Sequence, residues 1–384
     1  MPGAVLRAVC TATLTTLVVA SPAAATPVDP SPAAGPTAAA RKSVAQLLTE
    51  MQKLYQQAEE ATETYNGTAA ELKKRKAQAK KLDASLAVAR NALSDSRDEA
   101  GQLAREQYQG RSDLSQYMQL LLSRDPEHLL DQEHVIRRAA AGRAATVKRL
   151  TDAEKHADRL AAESRKVLDR QQVLAAKQKK QRDTVRSRLK AVESKLAKLS
   201  AAQLTELSRL EQQDMQKAQG ALVASGALSS TRPPSEAGGS AVRFAIGQIG
   251  KPYVWGAEGP GSFDCSGLTS QAWAKAGRAI PRTSQEQWRQ LPRVPLNSLR
   301  PGDLVIYFPK ATHVALYIGN GLVVQAPRPG SRVKVSPVAS NPLLGAVRPD
   351  PQSAALSSYR QPELPQGATA GSDTGYGASS APAQ

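Results

Sequence analysis

The sequence is poor in cysteine and in aromatic residues. Only two of its 384 residues are cysteine, and one of them, Cys10, lies close to the N-terminus. Once the N-terminal segment is removed, Cys265 is the single thiol, which excludes an internal disulfide framework. Aromatic residues make up 4% of the chain, and Ala, Lys, Arg, Gln and Glu crowd its first half. This composition excludes an ordinary globular core over most of the chain.

The chain carries a diffuse excess of positive charge, with a formal net charge of +17. An excess of this kind fits attraction to an anionic polymer or surface, although it identifies no partner. The sequence has no zinc-finger spacing and no aromatic signature of an RNA-binding sheet. Together with the export signal described next, this argues against a nucleic-acid partner.

The first 25 residues have the features of a secretory signal. Arg7 provides a short positive region, residues 8–20 are apolar or small, and three alanines at 23–25 form a cleavage site before Thr26. An uncleaved anchor is the alternative, but the apolar stretch is short for a membrane span. The sequence therefore predicts a secreted, extracytoplasmic protein, with a flexible tether over residues 26–40.

Residues 41–219 are expected to form a coiled coil. One series of positions recurs every seven residues from Met51 to Ala100, and a second series from Leu54 to Leu103 follows three residues later. A break at 110–113 and at Asp125-Pro126 separates two long helical stretches. An antiparallel hairpin explains this layout, and pairing of two parallel chains is the other option.

The break between the helices contains an apolar cluster in the region that begins at Leu114 and ends at Ile136. A cluster of this kind at the tip of a hairpin is typical of a partner-binding surface. It would equally serve as a small internal cluster that closes the hairpin.

The last part of the chain is expected to hold the only globular domain. Residues 220–236 are rich in Gly, Ser, Pro and Ala and indicate a linker. Residues 237–350 follow with helices first and then short apolar strands at 303–308, 313–319, 322–325 and 332–335, an order typical of an α+β domain. From Pro351 onward the composition predicts a disordered tail.

Cys265 and His313 are the strongest candidates for catalysis. They are a single thiol and a single imidazole in one small globular segment, which is the pattern of a cysteine nucleophile with its base. The residues after Cys265 predict a helix that ends at Gly277, so the thiol would lie at a helix N-terminus with a depressed pKa. A buried structural cysteine is the alternative.

Five ordered motifs in this domain resemble those of the NlpC family, whose members are bacterial cell-wall cysteine peptidases with a papain-like core. The motifs are Pro-Tyr-Val-Trp-Gly at 252–256, Asp-Cys-Ser-Gly-Leu at 264–268, Arg-Thr-Ser at 282–284, Pro-Gly-Asp-Leu-Val at 301–305 and His-Val-Ala-Leu-Tyr-Ile-Gly at 313–319. The resemblance implies a papain-like α+β domain that cleaves peptidoglycan stem peptides between D-glutamate and the diamino acid, without a metal or organic cofactor.

The resemblance also implies roles for individual residues. Cys265 and His313 take the positions of nucleophile and base, and Gln325, twelve residues after the histidine, takes the third catalytic position, where histidine is more common in the family. A glutamine carbonyl would still accept a hydrogen bond from the imidazole ring. The implied substrate-binding residues are Tyr253, Asp264, Ser266 and Ser284. Core packing is the alternative for Tyr253, and helix capping is the alternative for the other three.

The whole layout also resembles secreted coiled-coil wall hydrolases that the FtsEX division transporter switches on. This resemblance implies that the apolar region from Leu114 to Ile136 docks on an FtsX-like membrane protein, that the hairpin covers the cleft, and that the protein acts in cell-wall remodelling or daughter-cell separation. Two other functions stay open: a non-catalytic adaptor that activates other wall hydrolases, and an amidase or acyltransferase with the same Cys–His core.

Overall fold

The computed structural model of the protein describes residues 38–109, 126–228 and 232–371. Two long helices, α1 (Ala38–Tyr108) and α2 (Pro126–Leu196), precede a shorter helix α3 (Ala201–Ala224). Ion pairs join Glu50 to Lys195 and Glu99 to Arg149, so one helix runs against the other. The hairpin is therefore antiparallel and forms within one chain, as one of the two expected arrangements.

The heptad positions of α1 face the hairpin. Met51, Ala58 and Leu72 are among its buried residues, as the seven-residue spacing predicts. Near the base of the hairpin, Met51 packs with Val192 of α2 and Leu207 of α3. Helix α3 begins with a capping box at Ser200, and its residue Gln219 donates to the carbonyl of Gly321, which ties the helical region to the following domain.

The C-terminal domain packs three helices with a six-stranded antiparallel sheet, which confirms the α+β class. Its helices are α4 (Glu236–Ile246), α5 (Cys265–Lys275) and α6 (Ser284–Gln290). Its strands are β1 (Arg293–Val294), β2 (Leu304–Tyr307), β3 (His313–Gly319), β4 (Leu322–Gln325), β5 (Lys334–Pro337) and β6 (Leu343–Val347). The strand order is β1-β6-β2-β3-β4-β5. The sequence predicts β3 and β4 with these bounds but not β1 or β6.

The two faces of the sheet belong to different hydrophobic clusters. Val314 and Leu316 of β3 pack on the helix side with Leu268 and Trp273 of α5. Because side chains alternate along a strand, Ala315 and Tyr317 lie on the opposite face. Both faces are buried, so β3 is held rigidly in the middle of the domain.

Residues 351–371, which composition assigns to a disordered tail, make defined contacts with the domain. The backbone N–H of Val335 donates to the carbonyl of Ala368 at 2.8 Å, and that alanine is buried. The N–H of Leu356 donates to the carbonyl of Pro234. The prediction missed this because composition does not reveal that β5 has an edge for such a segment to cover.

Several sequence predictions concern residues outside the described part of the chain. These are the signal segment, most of the tether, residues 110–113 of the break, residues 114–125 of the apolar region and the end of the tail. Within the described ranges, no helix has the length and apolar character needed to cross a membrane.

Candidate active site

Cys265 is the first residue of α5 and is buried. The preceding residue, Asp264, caps the helix by accepting from the Gly267 N–H at 2.6 Å. At the other end Gly277 adopts a positive φ of 82°, and the N–H of Arg278 donates to the carbonyl of Trp273. The helix predicted after the cysteine is thus confirmed, including its glycine stop.

His313 and Gln325 meet at one end of the β3–β4 hairpin. His313 opens β3, Gln325 closes β4, and the two strands are antiparallel. His313 Nε2 lies 2.7 Å from Gln325 Oε1. Because a carbonyl oxygen only accepts, this bond places the hydrogen on Nε2 and leaves Nδ1 as the nitrogen that takes up a proton. The N–H of the adjacent Val314 hydrogen-bonds Cys265, which brings the thiol close to His313.

Asp264 and Ser266 flank the thiol and share a common partner, Arg282. The guanidinium donates to both carboxylate oxygens of Asp264, at 3.1 and 2.8 Å, and to Ser266 Oγ at 2.9 Å. Helix capping and side-chain pairing therefore coexist at Asp264. The sequence motif at 282–284 contains Arg282, yet no site role was predicted for it.

Ser284 and Tyr253 are both buried near the thiol. The N-cap of α6 is Thr283, so capping does not explain Ser284, whose hydroxyl lies 2.7 Å from the Ala311 carbonyl. For Tyr253, burial raises the pKa well above its usual range, and the neighbouring Cys265 raises it further. We call the space between Cys265, Ser266, Ser284 and His313 the cleft.

Helix α1 of the hairpin fills this cleft. The Glu63 carboxyl accepts from Ser266 Oγ at 2.8 Å and from the Ser284 N–H at 2.6 Å. One turn further along α1, Asn66 Nδ2 donates to Asp264 Oδ2 at 2.9 Å. Glu63 is 1% exposed and Asn66 is 2% exposed, so no room for a substrate is left at these positions.

Other contacts extend this closed arrangement along α1. The Glu59 carboxyl approaches His313, with Oε1 3.7 Å from Nδ1. The ring of Tyr65 packs edge-on against Trp255 with centroids 5.0 Å apart. These contacts lie on both sides of Glu63, so the helix covers the base as well as the thiol.

The closed arrangement reverses the expected ionisation of the thiol. Burial raises the pKa of Cys265 well above its usual range, and the nearby carboxyls of Glu63, Asp264 and Glu59 raise it further. The expectation of a depressed pKa is therefore wrong for this state. The sequence argument considered only the helix N-terminus, whereas α1 removes water and adds negative charge.

The hairpin was expected to cover the cleft, but the residues of α1 that contact it were not predicted, because the sequence argument followed only the seven-residue apolar series. Tyr55, Glu59, Thr62, Glu63 and Asn66 are buried although they lie outside the seven-residue series. Their spacing forms a second helical face. A further signal was present at Asn66-Gly67, since neither residue favours the middle of a helix.

Gly267 is required by the packing around the thiol. A Cβ at this position would lie 2.2 Å from the Ala257 carbonyl oxygen and 2.8 Å from Asp264 Oδ1. We expect Gly267→Ala to destabilise the domain by roughly 1–3 kcal/mol, because backbone must move to relieve the overlap. The measurement is the thermal unfolding of the full chain. Gly261→Ala is the matched control, since nothing lies within 4 Å of its Cβ position, and an equal loss in both variants would contradict this account.

The site is built without clustered metal ligands. Across residues 38–109, 126–228 and 232–371, no group of three or more His, Cys, Asp or Glu side chains is arranged to hold a metal ion. The groups described above are the thiol of Cys265, the imidazole of His313 and the side-chain amide of Gln325.

Comparison with known proteins identifies the domain. Residues 250–346 match the model of the NlpC/P60 family. A probable endopeptidase of Corynebacterium glutamicum strain R is 41% identical over 125 residues, covering 33% of this chain and 59% of the relative. The peptidoglycan endopeptidase RipA of Mycolicibacterium smegmatis is 40% identical over 114 residues, covering 26% and 23%.

The chain is also similar in sequence to a protein of known structure. The P60 domain from the M. avium subspecies paratuberculosis antigen MAP1204 is 33% identical and covers 29% of this chain and 92% of that chain, with a TM-score of 0.27. This chain spans little more than half the length of the first C. glutamicum relative. The family model matches residues 250–346, and the C-terminal part of this chain contains an NlpC/P60 domain.

Proposed function

We propose that the protein is a secreted peptidoglycan hydrolase, a cysteine endopeptidase that cleaves stem peptides. The observation that carries this proposal is the arrangement of Cys265 at the start of α5 beside Val314, with His313 held by Gln325. The relatives named endopeptidase and peptidoglycan endopeptidase support the same substrate class. NlpC/P60 domains are cysteine peptidases, and this domain retains the thiol and the imidazole.

The mechanism follows from the two reactive groups. With the cleft open, the Cys265 thiolate attacks the peptide carbonyl carbon and forms a C–S bond. The C–N bond breaks as protonated His313 transfers its proton from Nδ1 to the leaving amine. Neutral His313 then takes a proton from water, and the water oxygen attacks the thioester carbonyl carbon. The C–S bond breaks, the acyl group leaves as the carboxylic acid, and the Cys265 thiolate and protonated His313 are regenerated. The N–H groups at the α5 N-terminus stabilise the negative charge that develops on the carbonyl oxygen.

The proposed scissile bond lies between D-glutamate and the diamino acid. Ser266 and Ser284 hold the carboxyl of Glu63 in the closed arrangement, which supports a site for a carboxylate of the substrate. Asp264, oriented by Arg282, supplies the acidic side of the same site. Tyr253 lines it next to the thiol.

The test is digestion of purified muropeptides by the mature chain, with products identified by mass spectrometry. The proposal expects a new amino terminus at the diamino acid and a fragment that ends in D-glutamate. Loss of the whole stem peptide from the sugar would indicate an amidase, and a transferred acyl group would indicate an acyltransferase. If a chain with an opened cleft leaves every muropeptide intact, the adaptor function replaces this proposal.

Gln325 is proposed as the residue that positions His313. We expect Gln325→Ala to lower kcat about tenfold with little change in KM, because one orienting hydrogen bond to the imidazole is lost. Gln325→His is the matched control, since a ring nitrogen restores an acceptor at this place. Steady-state kinetics and the pH profile of kcat provide the measurement. A kcat that Gln325→Ala leaves unchanged would remove this residue from the site.

A role in daughter-cell separation and an FtsX-like activator are also proposed. The described cleft is filled by α1, so a partner that pulls on the hairpin would release it. The proposed docking region runs from Leu114 to Ile136, and its residues 114–125 lie outside the described part of the chain. Capture of the chain on an immobilised FtsX extracellular loop tests this, and indifference to charged substitutions at Leu121 and Leu122 would contradict it.

A further inference from the structure

We infer that the closed cleft is held by protons on the carboxyl pair Glu59 and Glu63, so that α1 leaves the cleft more readily as the pH rises. This inference rests on the proposed function for its meaning, because it concerns the regulation of the same site. The two residues are one helical turn apart, and both are less than 10% exposed.

Hydrogen counting at Ser284 supports a proton on Glu63. The Ser284 hydroxyl lies 2.7 Å from the Ala311 carbonyl and 2.9 Å from Glu63 Oε2. The hydroxyl has one hydrogen and therefore donates to only one of these oxygens. The Ala311 carbonyl has no hydrogen to offer. With an ionised Glu63, Ser284 can donate either to Glu63 or to Ala311, and the other contact is not a hydrogen bond. With a neutral Glu63, both contacts are hydrogen bonds at once, because Ser284 donates to Ala311 while the carboxyl hydrogen of Glu63 is donated to Ser284.

The charges that face Glu63 lead to the same result. Arg282 is the cation beside it, but this guanidinium already pairs with both oxygens of Asp264 and with Glu258. Three carboxyls thus share one cation, and two of them, Glu63 and Asp264, are buried. Burial, followed by the charge of Asp264, raises the pKa of Glu63 to about 7 despite its hydrogen bonds to Ser266 and Ser284.

Glu59 is in a similar environment on the other side. Its nearest groups are His313 and Arg328, and Arg328 is also 3.6 Å from Glu211. Burial raises the pKa of Glu59 to about 8, Arg328 lowers it and Glu63 raises it. Its Oε2 is buried without a hydrogen-bond partner among the described residues. An ionised carboxylate in this position would lose hydration without gaining a hydrogen bond, which costs more free energy than burying the neutral acid.

The remaining titratable groups at this place add no cation. Tyr253 and Cys265 face both carboxyls and are neutral when their pKa values are raised. Lys310 pairs with Glu60, which is less buried than Glu59 and Glu63. A cavity of about 880 Å³ is lined by Glu59, Tyr55 and Arg328, so the Glu59 end of the pair borders open space.

The sign of the pH dependence follows from comparing the closed and open states. In water a glutamate has a pKa of about 4.3. Since the closed state has raised values, about 7 and about 8, it binds more protons than the open state between pH 4.3 and pH 8. The closed state is therefore most stable below this window and loses stability as the pH rises through it, by up to about tenfold in the opening equilibrium per proton and pH unit.

The experiment measures exposure of the thiol in the full chain. Iodoacetamide alkylates Cys265 in wild type and in the Glu59→Gln/Glu63→Gln variant at several values between pH 6 and pH 8, and mass spectrometry reads the peptide that contains Cys265. Both chains expose the same thiol when open, so the ratio of their rates cancels thiolate ionisation. The two glutamines imitate the neutral carboxyls and make opening independent of pH.

We expect the ratio of wild-type rate to variant rate to rise at least about tenfold from pH 6 to pH 8. A ratio that stays constant would overturn the inference. Glu60→Gln is the matched control on the same turn: its rate relative to wild type is expected to be the same at every pH, and a steep change there would assign the pH dependence to another group. Because alkylation requires no peptide cleavage, a chain that fails on muropeptides but shows the rising ratio would refute the proposed peptidase and keep this inference.

Discussion

Replacing Glu63 and Asn66 together with alanine is expected to raise muropeptide cleavage by the full chain about tenfold. The two alanines would leave the Ser266 hydroxyl and the Ser284 N–H without the acceptor that Glu63 provides in the closed state. A buried unsatisfied group costs about 1–3 kcal/mol, and 1.4 kcal/mol corresponds to a tenfold shift in an equilibrium. In the open state water satisfies the same groups, so the closed state alone is weakened. The measurement is the initial rate of product formation.

The matched control for this variant is Glu71→Ala, which lies on the same helix and pairs with Arg75 outside the cleft. We expect it to cleave at the wild-type rate, because a partly exposed ion pair contributes little to stability. If the Glu63 and Asn66 variant also cleaves at the wild-type rate, α1 does not limit access to the thiol.

Cys265→Ala is expected to abolish cleavage, with a loss of roughly a thousandfold or more, because the nucleophile itself is removed. The effect is measured best in a chain that already carries the Glu63 and Asn66 substitutions, where the starting rate is higher. His313 and Gln325 remain in place, so any residual rate reports what the base and the cleft achieve without the thiol.

Folding of the Cys265→Ala chain is checked separately. The side chain is small and the change leaves only a minor cavity, so thermal unfolding should shift little. A folded chain that retains the parent rate would exclude Cys265 as the nucleophile. A folded chain without activity supports the assignment.

The residues proposed for catalysis could be selected from the sequence because the signals that mark them are local. His313 and Gln325 are twelve residues apart, and the register that pairs Leu316 with Val324 places them diagonally on one face of the β3–β4 hairpin. Likewise, the short helix after Cys265 is visible in its apolar spacing and its glycine stop. Such features depend on neighbouring residues and on strand alternation, which a sequence displays directly.

The closure of the cleft was only a general expectation from the whole layout. Glu63 and Ser284 are separated by 221 positions, and nothing in either segment identifies the other. Carboxyls on a coiled coil are usually solvated, and only the packing of α1 on the domain distinguishes Glu63 from Glu60. Strand β6 was missed for a similar reason, since its place between β1 and β2 depends on distant pairing.

The order of residues 351–371 also depends on long-range contacts. Lys334 donates from Nζ to the carbonyl of Gly371 at 2.6 Å, and Arg300 donates to the carbonyl of Ser353. These bonds link a segment of low sequence complexity to buried basic side chains of the domain. The composition of this segment predicted disorder because composition carries no information on the residues of the domain that bind the segment.

The measurement that tests the central claim most directly is the cleavage of one purified stem-peptide substrate by the Glu63→Ala/Asn66→Ala chain, with and without Cys265. If the protein is a peptidase whose cleft is filled by α1, the wild-type chain cleaves the substrate slowly and the variant cleaves it faster, with one new amino terminus at the diamino acid. No product is expected once Cys265 is replaced. Product formation that persists without Cys265, or an opened chain that forms none, would contradict it.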